Sequence, residues 1–402
     1  MDLDSNLAGG YRGVTVNVAM ADNSGNIGYQ LLAPVPIRKD TTPFLGLRVL
    51  DGRTTAYDWV DDGVQTVALS ALPRSLNPSK GYVATANNKQ TSANAQNDYG
   101  AALWPTPRGE RISEMIEAKI AAGEKLTWRD MRDIQHDSVD THGRRTVPMK
   151  IAMVESVKAD YSEEEQGDLN EMIELLTGWD GEMGLESVAA SVYQVHQGAL
   201  AKTMFGVWDE ISEDRRCSLF TGQYRGFTFE AVARMLRLAL EGDYSYNPLC
   251  KVPGKEYKSE NICAYNVADA LLATKKALSE EISEDPNDWK WGDLVVTRFD
   301  NTPWSYVPQL RPYIDKWIVI PGNANTNNIA EFGICGWKEP TSNELPPGST
   351  HPKFIAGKTA AYTHICTFEP EFRTEGNRYG IPGGLNESPL GPNFDDMIEQ
   401  HL

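Results

Sequence analysis

The sequence predicts an α+β fold in which strands at both ends of the chain flank a helical middle. Three observations predict it. Period-two apolar runs broken by Gly, Asn and Pro fill residues 14–85. Apolar residues at helical spacing, with capping residues ahead of them, dominate residues 110–280. Strand-like runs return after Asp285-Pro286.

Val14-Thr-Val-Asn-Val-Ala-Met20 reads as a strand, residues 22–26 as its turn and residues 27–32 as the return strand. Residues 33–80 are punctuated by Pro and Gly and predict short strands. Residues 81–85 read as a further strand, which Asn87 closes. The first helix is expected over 110–122, with Ile112, Met115, Ile116 and Ile120 on one face and Gly123 as its stop. Thr127 starts a second, with Ile134 facing the core, and Ser162-Glu-Glu-Glu165 is a capping box for a third. Residues 186–205 form a fourth. Thr228 caps a fifth that ends at Gly242, and Ser259 caps a sixth. Strands are then expected over 293–298, 316–320 and 358–368, followed by a Gly- and Pro-rich irregular tail over 369–392. This divides the chain into a β-rich part (1–108), a mainly helical region (109–285) and C-terminal strands with the tail (286–402).

Composition narrows the function classes. The chain of 402 residues is 41% hydrophobic and 23% charged, as in ordinary globular proteins. Its net charge, 38 − 56 = −18, repels phosphates and argues against nucleic acid or an anionic membrane as partner. No apolar run is long enough to span a bilayer, and Met1-Asp-Leu-Asp-Ser5 lacks the apolar core of a secretory signal. The five cysteines make no Cys-x-x-Cys pair. Cys250 and Cys263 flank a loop and could bridge; a fully reduced set is equally open. The six histidines show no metal-pair spacing, so solvated or core roles are expected for them. There is no Gly-x-Ser-x-Gly, phosphate loop or dinucleotide fingerprint.

One constellation carries chemistry. Gly81-Tyr-Val-Ala-Thr-Ala-Asn87-Asn88 follows Asp22-Asn-Ser-Gly25-Asn26-Ile-Gly28-Tyr29, and Arg111 and Trp179-Asp180-Gly181 come after. Together these motifs resemble the catalytic chain of the penicillin acylase family of N-terminal-nucleophile hydrolases. The resemblance runs from about Asn17 to Asp396, most specific in the first 180 residues and weak between 205 and 285. It implies part of a layered αββα fold with a helical insertion in the middle of the chain.

It also implies roles. Amide hydrolysis builds negative charge on the carbonyl oxygen, and one preorganised donor there contributes about 3–4 kcal/mol. The first Asn of the family's pair supplies such an oxyanion-hole donor; here it is Asn87. Composition alone favours a turn Asn, and the match from Asn77-Pro78 through Asn88 reverses that preference. Arg111 matches the arginine that orients the active site, with Arg108 as the register alternative. A cation on the first turn of a helix opposes the dipole, which favours a paired role. The residues 22–29 hairpin and Trp179-Asp180-Gly181 read as scaffold. Ala33 and Thr363 depart from the family's usual Gly and Arg. A structural calcium is also implied, with the Pro43 carbonyl and the Asp98 carboxylate as two oxygen ligands; no cofactor is required. Leu103 and Trp104 fit a plain core better than a substrate pocket.

The family's catalytic chain begins with Ser, Thr or Cys, whose free α-amino group acts as base. Here 21 residues precede Asp22, Ser5 is internal, and Met1 cannot be a nucleophile. The expectation is an amidohydrolase subunit cleaving a linear carboxamide, with its nucleophile on a missing N-terminal or α-chain fragment. The alternative is an inactive acylase-like structural or binding subunit of a larger assembly. The family points to a location outside the cytoplasm.

Overall fold

The computed structural model describes residues 13–42, 49–63, 65–90, 107–204, 225–252, 254–301, 304–334, 353–360, 362–368 and 377–379. They are mixed helices and strands, with the helices in the middle of the chain, as the sequence predicts. The chain divides into two units, residues 1–113 and 114–402.

In the first unit, β1 (Val16–Ala21) pairs antiparallel with β2 (Ile27–Leu32), Val16 opposite Leu32. The turn between them is built by Asp22, whose Oδ1 accepts from Ser24 N and Asn26 N over 2.9 and 3.0 Å. Gly25 supplies the positive φ of +85° that this turn needs. The scaffold role expected for this hairpin is thus visible in its bonds. β3 (Arg74–Leu76) pairs with the other edge of β2, and Tyr29, Leu31 and Leu72 form a small core. Asn77 then clips the hairpin, accepting from Ile27 N and donating to Asn26 Oδ1, each over 2.9 Å. The strand expected over 81–85 does not form a ladder: the segment is irregular, and the strand lies upstream at β3. Pro78 and Gly81 turn the chain away before it can pair.

Among the described residues six helices of eight or more residues follow α1 (Pro107–Ala121): α2 (Trp128–Gln135), α3 (Thr141–Val157), α4 (Glu163–Leu176), α5 (Val188–Thr203), α6 (Arg225–Leu240) and α7 (Ile262–Glu281). The capping boxes at Thr127 and Ser162 form as predicted. α3 is not predicted by the sequence reading; it forms with Asp140 as its cap and Pro148, usually a breaker, inside it. α6 starts before Thr228, and α7 starts after Ser259, with Asn261 at its N-cap. α7 packs against α5, α3 and α4. Met153, Leu169, Met172, Tyr193, Leu236 and Leu278 are fully buried among them. Cys250 and Cys263 form a disulfide at the N-terminal end of α7, resolving the choice the sequence left open.

The C-terminal strands are short. β4 (Val295–Phe299) lies between β5 (Lys316–Ile318), antiparallel to it, and β7 (Phe354–Ala356), parallel to it. β6 (Ala330–Glu331) pairs with β8 (Lys358–Thr359), and β9 (Tyr362–His364) with β10 (Asn377–Tyr379). Among the described residues no ladder joins these strands to β1–β3.

The second unit encloses a polar centre. Asp140 is fully buried and caps α3, its Oδ1 accepting from Gly143 N over 2.9 Å. Its Oδ2 accepts from Tyr193 Oη over 3.0 Å, Asn323 Nδ2 over 2.9 Å and Asn325 Nδ2 over 3.0 Å. Four donors on one carboxylate satisfy the charge that burial would otherwise penalise. The Trp179-Asp180-Gly181 turn sits against it: Asp140 N donates to Gly181 O over 2.8 Å, and Trp179 packs on Tyr193.

Candidate functional site

The residues expected to handle amide chemistry are presented by the loop after β3 and by the start of α1. Gly81 N donates to Pro78 O over 2.9 Å, closing a turn with Gly81 at φ +78°. Tyr82 and Ala86 are buried and anchor the stretch that leads to the exposed Asn87. At Asn87 the backbone turns left-handed, φ +63°, a region Asn enters more readily than most residues. Asn88 is occupied within the loop: its Oδ1 accepts from Ala86 N over 2.9 Å and from Gln90 Nε2 over 3.0 Å. Asn87 instead stands exposed.

Arg108, in the first turn of α1, reaches this tip. Its Nη2 donates to Asn87 Oδ1 over 2.9 Å and to Ala86 O over 3.2 Å. A guanidinium only donates, so the Asn87 atom facing it is the amide oxygen, and Nδ2 turns elsewhere. Among the described residues nothing accepts from that Nδ2. A fixed N–H not consumed by the protein is what an oxyanion donor requires. Arg111 lies a turn further along α1 and is partly buried. The hydrogen bond to Asn87 belongs to Arg108, the register alternative.

Pro43 and Asp98, the expected calcium ligands, lie outside the described residues, as do Leu103 and Trp104. Among the described residues no group of three or more His, Cys, Asp or Glu is placed to hold a metal. His142 and His196 are buried, and His364 is exposed beside the free thiol of Cys366.

Sequence reasoning missed two strongly perturbed groups in the second unit. Lys150 is buried beside Val147, Val154, Leu176 and Leu271, and donates to Gln197 Oε1. Burial pushes its ammonium down to about 7, against the pull of Asp140. His196, 3.5 Å from Lys150 Nζ, is held down to about 3 by burial and then by the lysine's charge. Its Nε2 faces Val267 O over 3.2 Å, so that nitrogen carries the proton and Nδ1 faces Lys150. The only sequence signal was a lysine among Val147, Ile151 and Val154 at helical spacing.

A sequence model of the penicillin amidase family matches residues 5–402. The chain belongs to the penicillin amidase family. It is 28% identical over 295 residues to an acyl-homoserine lactone acylase, QuiP, of Pseudomonas syringae pv. syringae, covering 70% of this chain and 32% of that protein. It is 27% identical over 188 residues to the penicillin acylase 2 proenzyme of a Pseudomonas species, covering 46% and 22%. Among solved structures, the thermostable penicillin G acylase of Alcaligenes faecalis aligns over 77% of this chain and 55% of that chain, with 18% identity and a TM-score of 0.47. The chain spans about a third of the length of the curated relatives it matches over most of its residues. Among the described residues of this penicillin amidase family member, no helix is long and apolar enough to cross a membrane.

Proposed function

We propose that this chain is the distal part of a penicillin-amidase-type amidohydrolase, in which Asn87 is an oxyanion-hole donor held in place by Arg108. The observation that carries this reading is the Asn87 amide: its oxygen is tied to Arg108 and its Nδ2 has no partner among the described residues. Arg111, on the same helix, orients the surroundings of the nucleophile.

The nucleophile belongs to a segment outside the third of the relatives that this chain matches, carried by the N-terminal or α-chain partner. Its hydroxyl or thiol attacks the scissile carbonyl while its own free α-amino group takes the proton. The oxygen that gains charge accepts from Asn87 Nδ2. Collapse returns the proton to the departing amine, and water then releases the acyl group. The reaction needs no cofactor; calcium at Pro43 and Asp98 would be structural. The relatives named as acyl-homoserine lactone acylases make fatty-acyl amides the first substrates to try. The Cys250–Cys263 disulfide supports a location outside the cytoplasm.

The test is to assemble the chain with a nucleophile-bearing segment and follow amine release from N-acyl-homoserine lactones and from phenylacetyl and glutaryl amides. Asn87→Ala should lower kcat about 10²–10³-fold without loss of assembly. An unchanged kcat removes Asn87 from the mechanism. An assembled protein that cleaves none of these amides leaves the non-catalytic subunit as the reading.

A further inference from the structure

The buried carboxylate of Asp140 decides the orientation of the amides around it. A carboxylate only accepts, so Asn323 and Asn325 must both turn Nδ2 toward it. Asn323 Nδ2 also donates to Gln194 Oε1 over 3.3 Å. Asn323 Oδ1 accepts from Asn325 N over 2.8 Å. Two atoms are left over with their character settled: Gln194 Nε2 is a donor and Asn325 Oδ1 is an acceptor. Neither has a partner among the described residues, although Gln194 is 5% and Asn325 9% exposed.

Both residues line one cavity of about 20 Å³, together with Tyr193, Gln197, Phe229 and Phe332. Tyr193 Oη donates to Asp140 and accepts from Gln197 Nε2 over 3.3 Å, which leaves it one lone pair. A space of about 10–15 Å³ is enough for one water molecule, provided it finds polar partners. A cation here would face the N–H of Gln194, and an anion the oxygen of Asn325. Charge of either sign is therefore disfavoured.

We propose that this cavity is a binding site for one small neutral molecule that both donates and accepts, water in the resting protein. It accepts from Gln194 Nε2 and donates to Asn325 Oδ1, so it joins α5 to the loop that carries Asn323 and Asn325. That loop has little regular structure of its own, and the bridge adds to the ties it makes through Asp140 and from Asn323 to Gln194.

The experiment is a crystal structure of the full chain at a resolution that shows ordered waters. A single peak about 2.7–3.2 Å from both Gln194 Nε2 and Asn325 Oδ1 is expected. Gln194→Leu should lose the peak and lower Tm by several degrees. A wild-type cavity without a peak, a peak that touches neither amide, or one with metal-like contact distances overturns the proposal. Should Gln194→Leu not fold, oxygen-17 relaxation dispersion in solution decides the matter. Asn325→Ala should then remove one long-lived internal water relative to wild type, and an unchanged count overturns the proposal.

Discussion

Arg108 and Asn87 are joined side chain to side chain: the guanidinium holds the amide oxygen over 2.9 Å and so decides which way the amide points. The same nitrogen also holds the carbonyl of Ala86, so one arginine fixes both the backbone and the side chain of the loop tip. In the proposed amidohydrolase assembly, Arg108→Ala should lower kcat about tenfold, ~1.4 kcal/mol, while KM stays close to wild type. Arg108→Lys, which keeps the charge but loses the planar fork, should recover only part of it. Steady-state kinetics on the preferred amide check this; a change confined to KM removes Arg108 from transition-state positioning.

Gly181 and Gly322 hold turns that no side chain fits. A Cβ at Gly181, φ +92°, would lie 2.7 Å from Asp140 O, and one at Gly322, φ +103°, would strike Asn328 O. Left-handed strain plus a clash with backbone should cost about 3 kcal/mol or more for Ala at either position. Gly123→Ala, at φ +71° with open space around it, should cost about 1 kcal/mol. Urea unfolding of the three variants tests the ranking, and equal losses would contradict it.

The Cys250–Cys263 bridge closes a separation of 13 residues next to α7. Loop-closure entropy for a ring of this size corresponds to about 3 kcal/mol of stability. The double change to Ala should lower Tm markedly, and dithiothreitol should lower the wild-type Tm but leave the double variant unaffected. Differential scanning calorimetry with and without reductant distinguishes these outcomes.

Lys150 links stability to pH. Its ammonium titrates near 7 in the folded chain against 10.5 when exposed, because burial penalises the charge. Between those values unfolding takes up a proton, so this group makes stability rise with pH across the window. Below about 7 it is charged in both states and its cost is fully present, on the order of 5 kcal/mol. Lys150→Met removes that cost but leaves Gln197 Oε1 unpaired, at about 1–3 kcal/mol. The variant should therefore be more stable than wild type at pH 6 and lose that advantage by pH 10. Denaturant midpoints across the range provide the test; a pH-independent difference would falsify the assignment.

His196 adds a second slope on the acid side. It stays neutral in the fold down to about 3, while the exposed ring titrates at 6.5. The unfolded chain binds the extra proton between those values, so stability falls as pH drops through that window. His196→Gln should flatten the acid limb, as read from Tm at pH 4 and pH 7.

Much of the fold was legible because the signals were local. The capping boxes at Thr127 and Ser162, and the stops at Gly123 and Gly242, are short-range bonds and positive-φ turns, and the structure repeats them. The hairpin around Asp22 was legible for the same reason. α3 was not read at all, and Pro148, a residue that more often breaks a helix, lies inside it. At the candidate site the motif singled out Asn87 as a candidate, and the structure adds its bond to Arg108. Its arginine was not settled, since Arg108 and Arg111 sit on one short stretch and only the reach of a side chain separates them.

By itself the sequence determined the α+β order of elements, the family motifs and the acidic charge, all carried by residues near one another in the chain. The tertiary structure decided that Cys250 and Cys263 bridge and that Arg108 holds Asn87. It also decided that Asp140, Asn323 and Asn325 meet although more than 180 residues separate them. The reason is physical. A buried carboxylate is tolerable only once donors are gathered around it, and folding alone brings those donors together.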